Sequence, residues 1–208
     1  RLASNGPLRV IEKDRRWAEF LRAHFLDRVE VVEADALRVP WTSPGPGPAQ
    51  LCGNLPYYVS GPLLVRALKH ASIFERAVLM VQDEVAARII ASPGSKIYGR
   101  LSVMTALVGD ARRIRRVSPG AFWPAPKVTS ALVEISFRVP RSRASFEQVE
   151  RVVKTAFSQR RKRLSNALSP YGPDALARAR ERGYDLSMRA EEWAPEVFFG
   201  LAELLREE

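Results

Sequence analysis

The sequence predicts an α/β protein: a doubly wound sheet followed by a small all-α C-terminal domain. Two observations predict it. Up to residue 139, short apolar runs alternate with segments of helical spacing, the pattern of a parallel sheet covered by helices on both faces. From residue 140 the strand signals stop and only helical spacing continues. The 208 residues leave room for one full domain (1–139) and a small one (140–208).

The elements follow in order. Leu8-Arg9-Val10-Ile11 reads as a strand, and Arg15 to Phe25 as a helix with Trp17, Phe20, Leu21 and His24 on one face. Val29 to Val32 is a second strand. Pro and Gly between residues 40 and 48 exclude a helix or a central strand, so this stretch is a surface loop. Leu51-Cys52-Gly53 is a short strand, with Cys52 expected to pack inside it. Leu63 to His70 is helical, Ala77 to Val81 is a buried strand, and Asp83 to Ile90 and Leu101 to Val108 are helical. Arg115 to Val117 and Val128 to Phe137 form a closing pair of strands. Beyond them, Phe146, Val149, Val152, Val153, Ala156 and Phe157 share one helical face, and residues 174–182 and 195–205 are also helical.

Composition narrows the function. No run approaches the ~18 apolar residues of a membrane helix, and the first residues carry no apolar secretory core. The single cysteine excludes an internal disulfide framework and a Cys-rich zinc site, and two histidines leave little for a His-based metal centre. A protein of the reducing cytoplasm, without a metal and most simply monomeric, is expected. There are 33 basic and 23 acidic residues, a net charge of +10, and the pI is about 10.3. Such an excess suggests a polyanionic partner, nucleic acid being the usual one, against the alternative of a solvated basic surface. Residues 1–139 hold 20 basic and 12 acidic side chains, and residues 140–208 hold 13 and 11, so most of the field lies on the α/β part.

In doubly wound sheets, ligands sit at the carboxyl ends of the strands. Glu12 follows the first strand, Asp35 closely follows the second and Asn54 ends the third. Asn54 opens Asn54-Leu55-Pro56-Tyr57, which resembles the active-site motif of adenine N6-methyltransferases that use S-adenosylmethionine. The wider stretch Gly53 to Ser60 is similar to the ribosomal RNA adenine dimethyltransferases, of the small-subunit, kasugamycin-sensitivity type. Four more blocks match in order: Met80-Val81-Gln82-Asp83-Glu84-Val85-Ala86-Ala87-Arg88-Ile89, Tyr98-Gly99-Arg100-Leu101-Ser102-Val103, Phe122-Trp123-Pro124-Ala125-Pro126-Lys127-Val128 and Phe157-Ser158-Gln159-Arg160-Arg161-Lys162. The resemblance spans nearly the whole chain and implies a Rossmann-like methyltransferase sheet in residues 1–139 with an RNA-binding helical domain in 140–208.

The chemistry explains the residue types. The exocyclic N6 amine of adenine is a poor nucleophile, because its lone pair is delocalised into the ring. An acceptor that binds the amine protons localises that pair and aims the nitrogen at the methyl group. The Asn54 side-chain oxygen suits this task, assisted by the backbone carbonyl of Leu55, and Pro56, with its locked φ, fixes the turn. Tyr57 offers a flat face to an extruded base. No base of high pKa is required, since the methylated nitrogen sheds its proton readily, and positioning and electrostatics would supply the rate. The resemblance places the aromatic of the Phe122 loop on the flipped adenine, a role that Trp123 could also take.

For the cofactor, Glu12 is placed to accept from ribose hydroxyls. By resemblance Asp35 accepts from the cofactor's adenine amine, Ala36 contacts the same ring through its backbone, and Asn54 borders the site. The family's Gly-x-Gly-x-Gly loop, expected on a strand before Glu12, is absent from the sequence, so the N-terminal domain reads as incomplete. Two basic clusters could grip phosphates or form solvated faces: Arg112, Arg113, Arg115 and Arg116, with Lys127 nearby, and Arg160, Arg161, Lys162 and Arg163, which are expected to open a helix.

These features imply an S-adenosylmethionine-dependent enzyme that dimethylates N6 of two adjacent adenines in small-subunit (16S) ribosomal RNA and is linked to ribosome assembly. The expected partner is ribosomal RNA or the small-subunit precursor, with no membrane. Two alternatives remain open at this point: a large-subunit adenine methyltransferase conferring macrolide resistance, and a non-catalytic RNA-binding or assembly factor on the same fold.

Overall fold

The computed structural model describes residues 6–205. Strands β1 (Arg9–Glu12) and β2 (Glu30–Glu33) pair in parallel, with Val10 opposite Val31 and Glu12 opposite Glu33. Helix α1 (Arg15–Phe25) crosses between them, as parallel pairing requires. Asp14 caps α1: its carboxylate accepts from the Arg16 N–H, and Arg22 and His24 stand in the last turn, where the helix dipole favours cations.

Helix α1 carries its aromatic residues on one face, as the spacing predicts, and that face is largely exposed. The buried residue of the helix is Ala18, whereas Trp17 and Phe20 are half-exposed. Their rings stack along the helix, Trp17 edge-on to Phe20 at 5.8 Å and Phe20 on His24 at 5.5 Å.

Four further strands form a mixed sheet in the order β3 (Ala49–Asn54), β4 (Phe74–Gln82), β6 (Ser130–Phe137), β5 (Gly109–Val117). β3 and β4 are parallel, linked through α2 (Ser60–Lys69). β6 is antiparallel to both β4 and β5, so the closing pair of strands makes the sheet mixed rather than purely parallel. The reason lies in the connection: residues 118–129 return the chain from β5 without a crossover helix. β5 also starts earlier than its apolar residues suggest, at Gly109, where a Cβ would lie 2.6 Å from the Ser136 carbonyl oxygen. Cys52 is exposed on β3, not packed inside. Among the described residues, no ladder hydrogen bond joins the β1–β2 pair to the four-stranded sheet.

The core forms where alternation and helical periodicity meet. Ala77, Leu79 and Val81 of β4 and Ala131, Val133 and Ile135 of β6 are buried at every second position. They join Val103, Met104, Leu107 and Val108 of α4 (Arg100–Val108), which follows α3 (Asp83–Ile89). The helical region contains α5 (Phe146–Ser158), α6 (Leu164–Ala167), α7 (Pro173–Glu181) and α8 (Pro195–Leu204). Its apolar residues, Val149, Val153, Phe198 and Leu201 among them, belong to the same continuous cluster as the sheet. A buried polar link crosses this contact: the Tyr98 hydroxyl donates to the Trp193 carbonyl at 3.0 Å. Among the described residues, no helix is long and apolar enough to cross a membrane.

Candidate active site

The three polar side chains expected at strand ends are there. Glu12 is the last residue of β1, and its Oε1 accepts from the Asp14 N–H at 2.8 Å. Asp35 stands two residues beyond β2. Its Oδ1 accepts from the Leu37 N–H at 2.9 Å and its Oδ2 meets Lys13 Nζ at 3.0 Å. The Leu37 amide first, and the Lys13 ammonium second, hold the Asp35 carboxyl below the usual carboxylate range. Lys13 thereby ties the turn after β1 to the turn after β2.

Two residues that sequence reasoning did not single out lock the Asp35 turn in place. The Trp41 indole N–H donates to the Ala36 carbonyl at 2.9 Å. Arg66, on α2, donates to the carbonyls of Leu37 (2.8 Å) and Val39 (2.5 Å), and its guanidinium lies over the Trp41 ring at 5.5 Å. The guanidinium fork satisfies two backbone acceptors that no strand or helix serves.

Asn54 is the last residue of β3, paired opposite Met80. It is exposed, and its amide has no hydrogen-bond partner among the described residues. The loop that carries it is tightly held. Gly53 packs closely here: a Cβ would sit 3.1 Å from the end of the Leu55 side chain, which would have to shift by a few tenths of an ångström. The Leu55 N–H donates to the Met80 carbonyl at 3.0 Å, and the Val59 N–H donates to the Pro56 carbonyl at 3.0 Å. Ser60 Oγ donates to the Tyr57 carbonyl at 3.1 Å, and the Tyr57 hydroxyl lies 2.6 Å from Ser130 Oγ. The free amide thus projects from a rigid turn.

The second loop, Phe122 to Val128, leads directly into β6. Phe122 is half-buried, whereas Trp123 is 98% exposed, which separates the two aromatics that the sequence left interchangeable. Tyr58, beside Tyr57, is 85% exposed.

The structure sorts the basic residues into occupied and open ones. Arg112 pairs with Glu134 at 2.9 Å, and Arg113 and Arg116 both pair with Asp83, at 2.6 and 2.9 Å. A register irregularity between Arg113 and Arg115 lets residues three apart reach the same carboxylate. Arg115 and Lys127 are exposed, with no acidic partner among the described residues. Arg160 pairs with Glu191 at 2.8 Å. The run from Arg160 to Lys162 lies in the turn after α5 and does not open a helix; Arg163 is the N-cap of α6. Arg161 and Lys162 are exposed.

The donor set suits the adenosine half of S-adenosylmethionine. Glu12 and Asp35 are acceptor carboxylates at the ends of adjacent parallel strands, matched to a ribose diol and an amine. Among the described residues Glu12 Oε2 has no hydrogen-bond partner, while the Asp35 turn presents the Ala36 backbone in a fixed shape. Among the described residues, no group of three or more His, Cys, Asp and Glu side chains could hold a metal ion.

Comparison with known proteins gives a consistent result. Ribosomal RNA small subunit methyltransferase A of Magnetococcus marinus is 44% identical over 197 residues, covering 91% of this chain and 71% of that protein. Its counterpart in Rhodospirillum rubrum is 44% identical over 207 residues, covering 97% and 72%. Among solved structures, a dimethyladenosine transferase from Plasmodium falciparum shares the fold, with a TM-score of 0.75 at 21% identity over 94% of this chain and 80% of that one. The 23S rRNA methyltransferase ErmE superposes with a TM-score of 0.66 at 26% identity, covering 96% and 82%. The family profile described as ribosomal RNA adenine dimethylase matches residues 7–207. The chain belongs to the ribosomal RNA adenine dimethylase family.

Proposed function

We propose that this protein dimethylates N6 of two adjacent adenines in small-subunit ribosomal RNA during ribosome assembly, acting as a cytoplasmic monomer on the small-subunit precursor. The observation that carries the reading is Asn54: an exposed amide at a strand end, without a hydrogen-bond partner among the described residues, on a loop held by backbone bonds on both sides. S-adenosylmethionine supplies the electrophilic methyl carbon when bound. Glu12 receives its ribose hydroxyls, Asp35 and the Ala36 backbone receive its adenine, and Asn54 borders it.

In the first transfer Asn54 Oδ1 and the Leu55 carbonyl accept the two N–H groups of the target amine; in the second, one of them accepts the N–H that remains. This draws the nitrogen lone pair out of conjugation and points it along the transfer axis. Pro56 keeps the Leu55 carbonyl in place. Tyr57 and Phe122 flank the extruded base, and stacking contributes roughly 1–3 kcal/mol per base. After each transfer the nitrogen gives up a proton to solvent, so Asn54 needs only to accept hydrogen bonds and never to ionise.

Arg115, Lys127, Arg161 and Lys162, exposed and without an acidic partner among the described residues, are available for phosphate contact. Arg112, Arg113, Arg116 and Arg160 can reach phosphate by exchanging their carboxylate partners, and Arg163 extends the helical-domain cluster. The helical region (140–208) is the proposed RNA-binding domain beside the methyltransferase domain (1–139). A large-subunit substrate is the second reading, motivated by the likeness to ErmE. The intact protein, incubated with S-adenosylmethionine and either small-subunit precursors or large-subunit RNA, decides between them. N6,N6-dimethyladenosine in the small-subunit RNA supports the proposal. Modification of the large-subunit RNA alone, or of neither, overturns it.

A further inference from the structure

The contact between Tyr57 and Ser130 has no role in the mechanism above. Ser130 is fully buried, and its Oγ stands 2.6 Å from the Tyr57 hydroxyl, a full-strength distance for an O–H···O bond in which either oxygen can donate. Ser130 is the first residue of β6. Its backbone is held between two strands, opposite Gln82 of β4 and Val117 of β5. One residue earlier, the Thr129 carbonyl accepts from the Asp83 N–H at 2.9 Å, which fixes the end of the Phe122 loop to the start of α3. The serine hydroxyl therefore stands on backbone that is paired on both sides.

Tyr57, in contrast, sits on a loop and is half-buried. Backbone bonds restrain the main chain around it, and among the described residues the hydrogen bond of the Tyr57 side chain is the one to Ser130, which ties the tip of the ring to β6. Ser130 also follows the second loop, so this bond links the two segments that would flank an extruded base.

We propose that Ser130 is a positioning residue for methyl transfer: through its hydroxyl it sets the plane of the Tyr57 ring and holds the Asn54–Tyr57 loop in register with the Phe122 loop. This rests on the reading of Tyr57 and Phe122 as the walls of the target-adenine site. Ring placement matters because small displacements of positioning groups carry large rate penalties.

The test uses the intact protein on small-subunit RNA with Tyr57→Phe, Ser130→Ala, the double variant and Ser130→Thr. Tyr57→Phe keeps the ring and removes only its hydroxyl. Each single variant is expected to lower kcat about tenfold at saturating S-adenosylmethionine, roughly one lost hydrogen bond's worth. The double variant is expected to fall no further, because both changes remove the same bond. Ser130→Thr, which keeps the hydroxyl, is expected to recover most of the rate. Affinity for S-adenosylmethionine, measured by calorimetry, is expected to stay unchanged. RNA carrying 2-aminopurine at the target position is expected to show an altered fluorescence response in both single variants, which loss of stability alone would not produce.

If Ser130→Ala fails to fold, Tyr57→Phe and the 2-aminopurine signal still decide the matter. An unchanged kcat in Tyr57→Phe, or additive losses in the double variant, overturns the positioning role while leaving the reaction itself in place. No methylation by the unaltered protein overturns the underlying reading instead.

Discussion

The indole N–H of Trp41 donates to the carbonyl of Ala36 across 2.9 Å. This bond lies in the loop just after β2, and Arg66 of α2 completes it from the other side with hydrogen bonds to Leu37 and Val39. Among the described residues, the β1–β2 pair and the four-stranded sheet share no ladder bonds. The Trp41–Arg66 bracket therefore connects the Asp35 turn to the helix that follows the Asn54 loop.

Removing the bracket should cost stability. Arg66→Ala leaves two half-buried carbonyls without donors and is expected to lower unfolding free energy by about 1–3 kcal/mol. Arg66→Lys should restore only part of this, since an ammonium cannot span two acceptors as the guanidinium fork does. Urea midpoints of the three proteins check both expectations. An Arg66→Ala midpoint equal to that of the unaltered protein would refute the bracket.

Tyr98 sets a limit on alkaline stability. Burial, with the Glu196 carboxylate adding repulsion, pushes its phenol above the ordinary tyrosine range. The folded state therefore keeps the proton longer than the unfolded chain does. This contribution is fully present below the unfolded value of about 10 and is lost as pH rises toward the folded value. Tyr98→Phe should remove that part of the alkaline decline, at the expense of about 1 kcal/mol at neutral pH for the lost bond to the Trp193 carbonyl. Thermal unfolding at pH 8 and pH 11 separates the two effects.

The open and occupied cations make different predictions for RNA. Arg115→Ala and Lys127→Ala should each reduce the slope of log affinity against log salt by roughly 0.7–0.9, the value of one phosphate contact. Arg113→Ala should change it less, because that side chain already satisfies Asp83 at 2.6 Å. Titration of small-subunit RNA at several salt concentrations measures the slopes. A larger effect at Arg113 than at Arg115 would contradict this assignment.

The shared core predicts cooperative unfolding. Phe198, on α8, is fully buried in the cluster that includes Met104 and Ile135. Phe198→Ala should cost about 3–5 kcal/mol, and the loss should reach the sheet as well as the helices. Trp193 fluorescence and far-UV circular dichroism should report one coincident transition. Separate transitions would show that the helical region is energetically independent.

Much of this architecture could be read from local pattern. The helices over α1 and α4 begin and end within a residue of their expected limits, because capping and periodicity are local signals. The carboxylates and the amide at the strand ends were legible for the same reason: each is a polar residue at, or within three residues of, the end of a short apolar run. What escaped was non-local. The Tyr57–Ser130 bond joins residues 73 apart in sequence, and Arg66 reaches carbonyls 29 and 27 residues away. Neither leaves a local signature. The antiparallel course of β6 was hidden because apolar alternation does not encode strand direction. The shared face of Trp17, Phe20 and His24 on α1 was legible from helical spacing, but its exposure was not, because spacing does not say which face a helix buries; here the buried position is Ala18.

The central claim is that the Asn54 amide activates and aims the target amine. The single-turnover rate of methyl transfer to small-subunit RNA by Asn54→Ala, at saturating S-adenosylmethionine, tests it most directly. The account predicts a loss of about 10²–10³-fold, the size expected when one preorganised polar group is removed from a transition state. A rate within about threefold of the unaltered protein, with the RNA still bound, would contradict it.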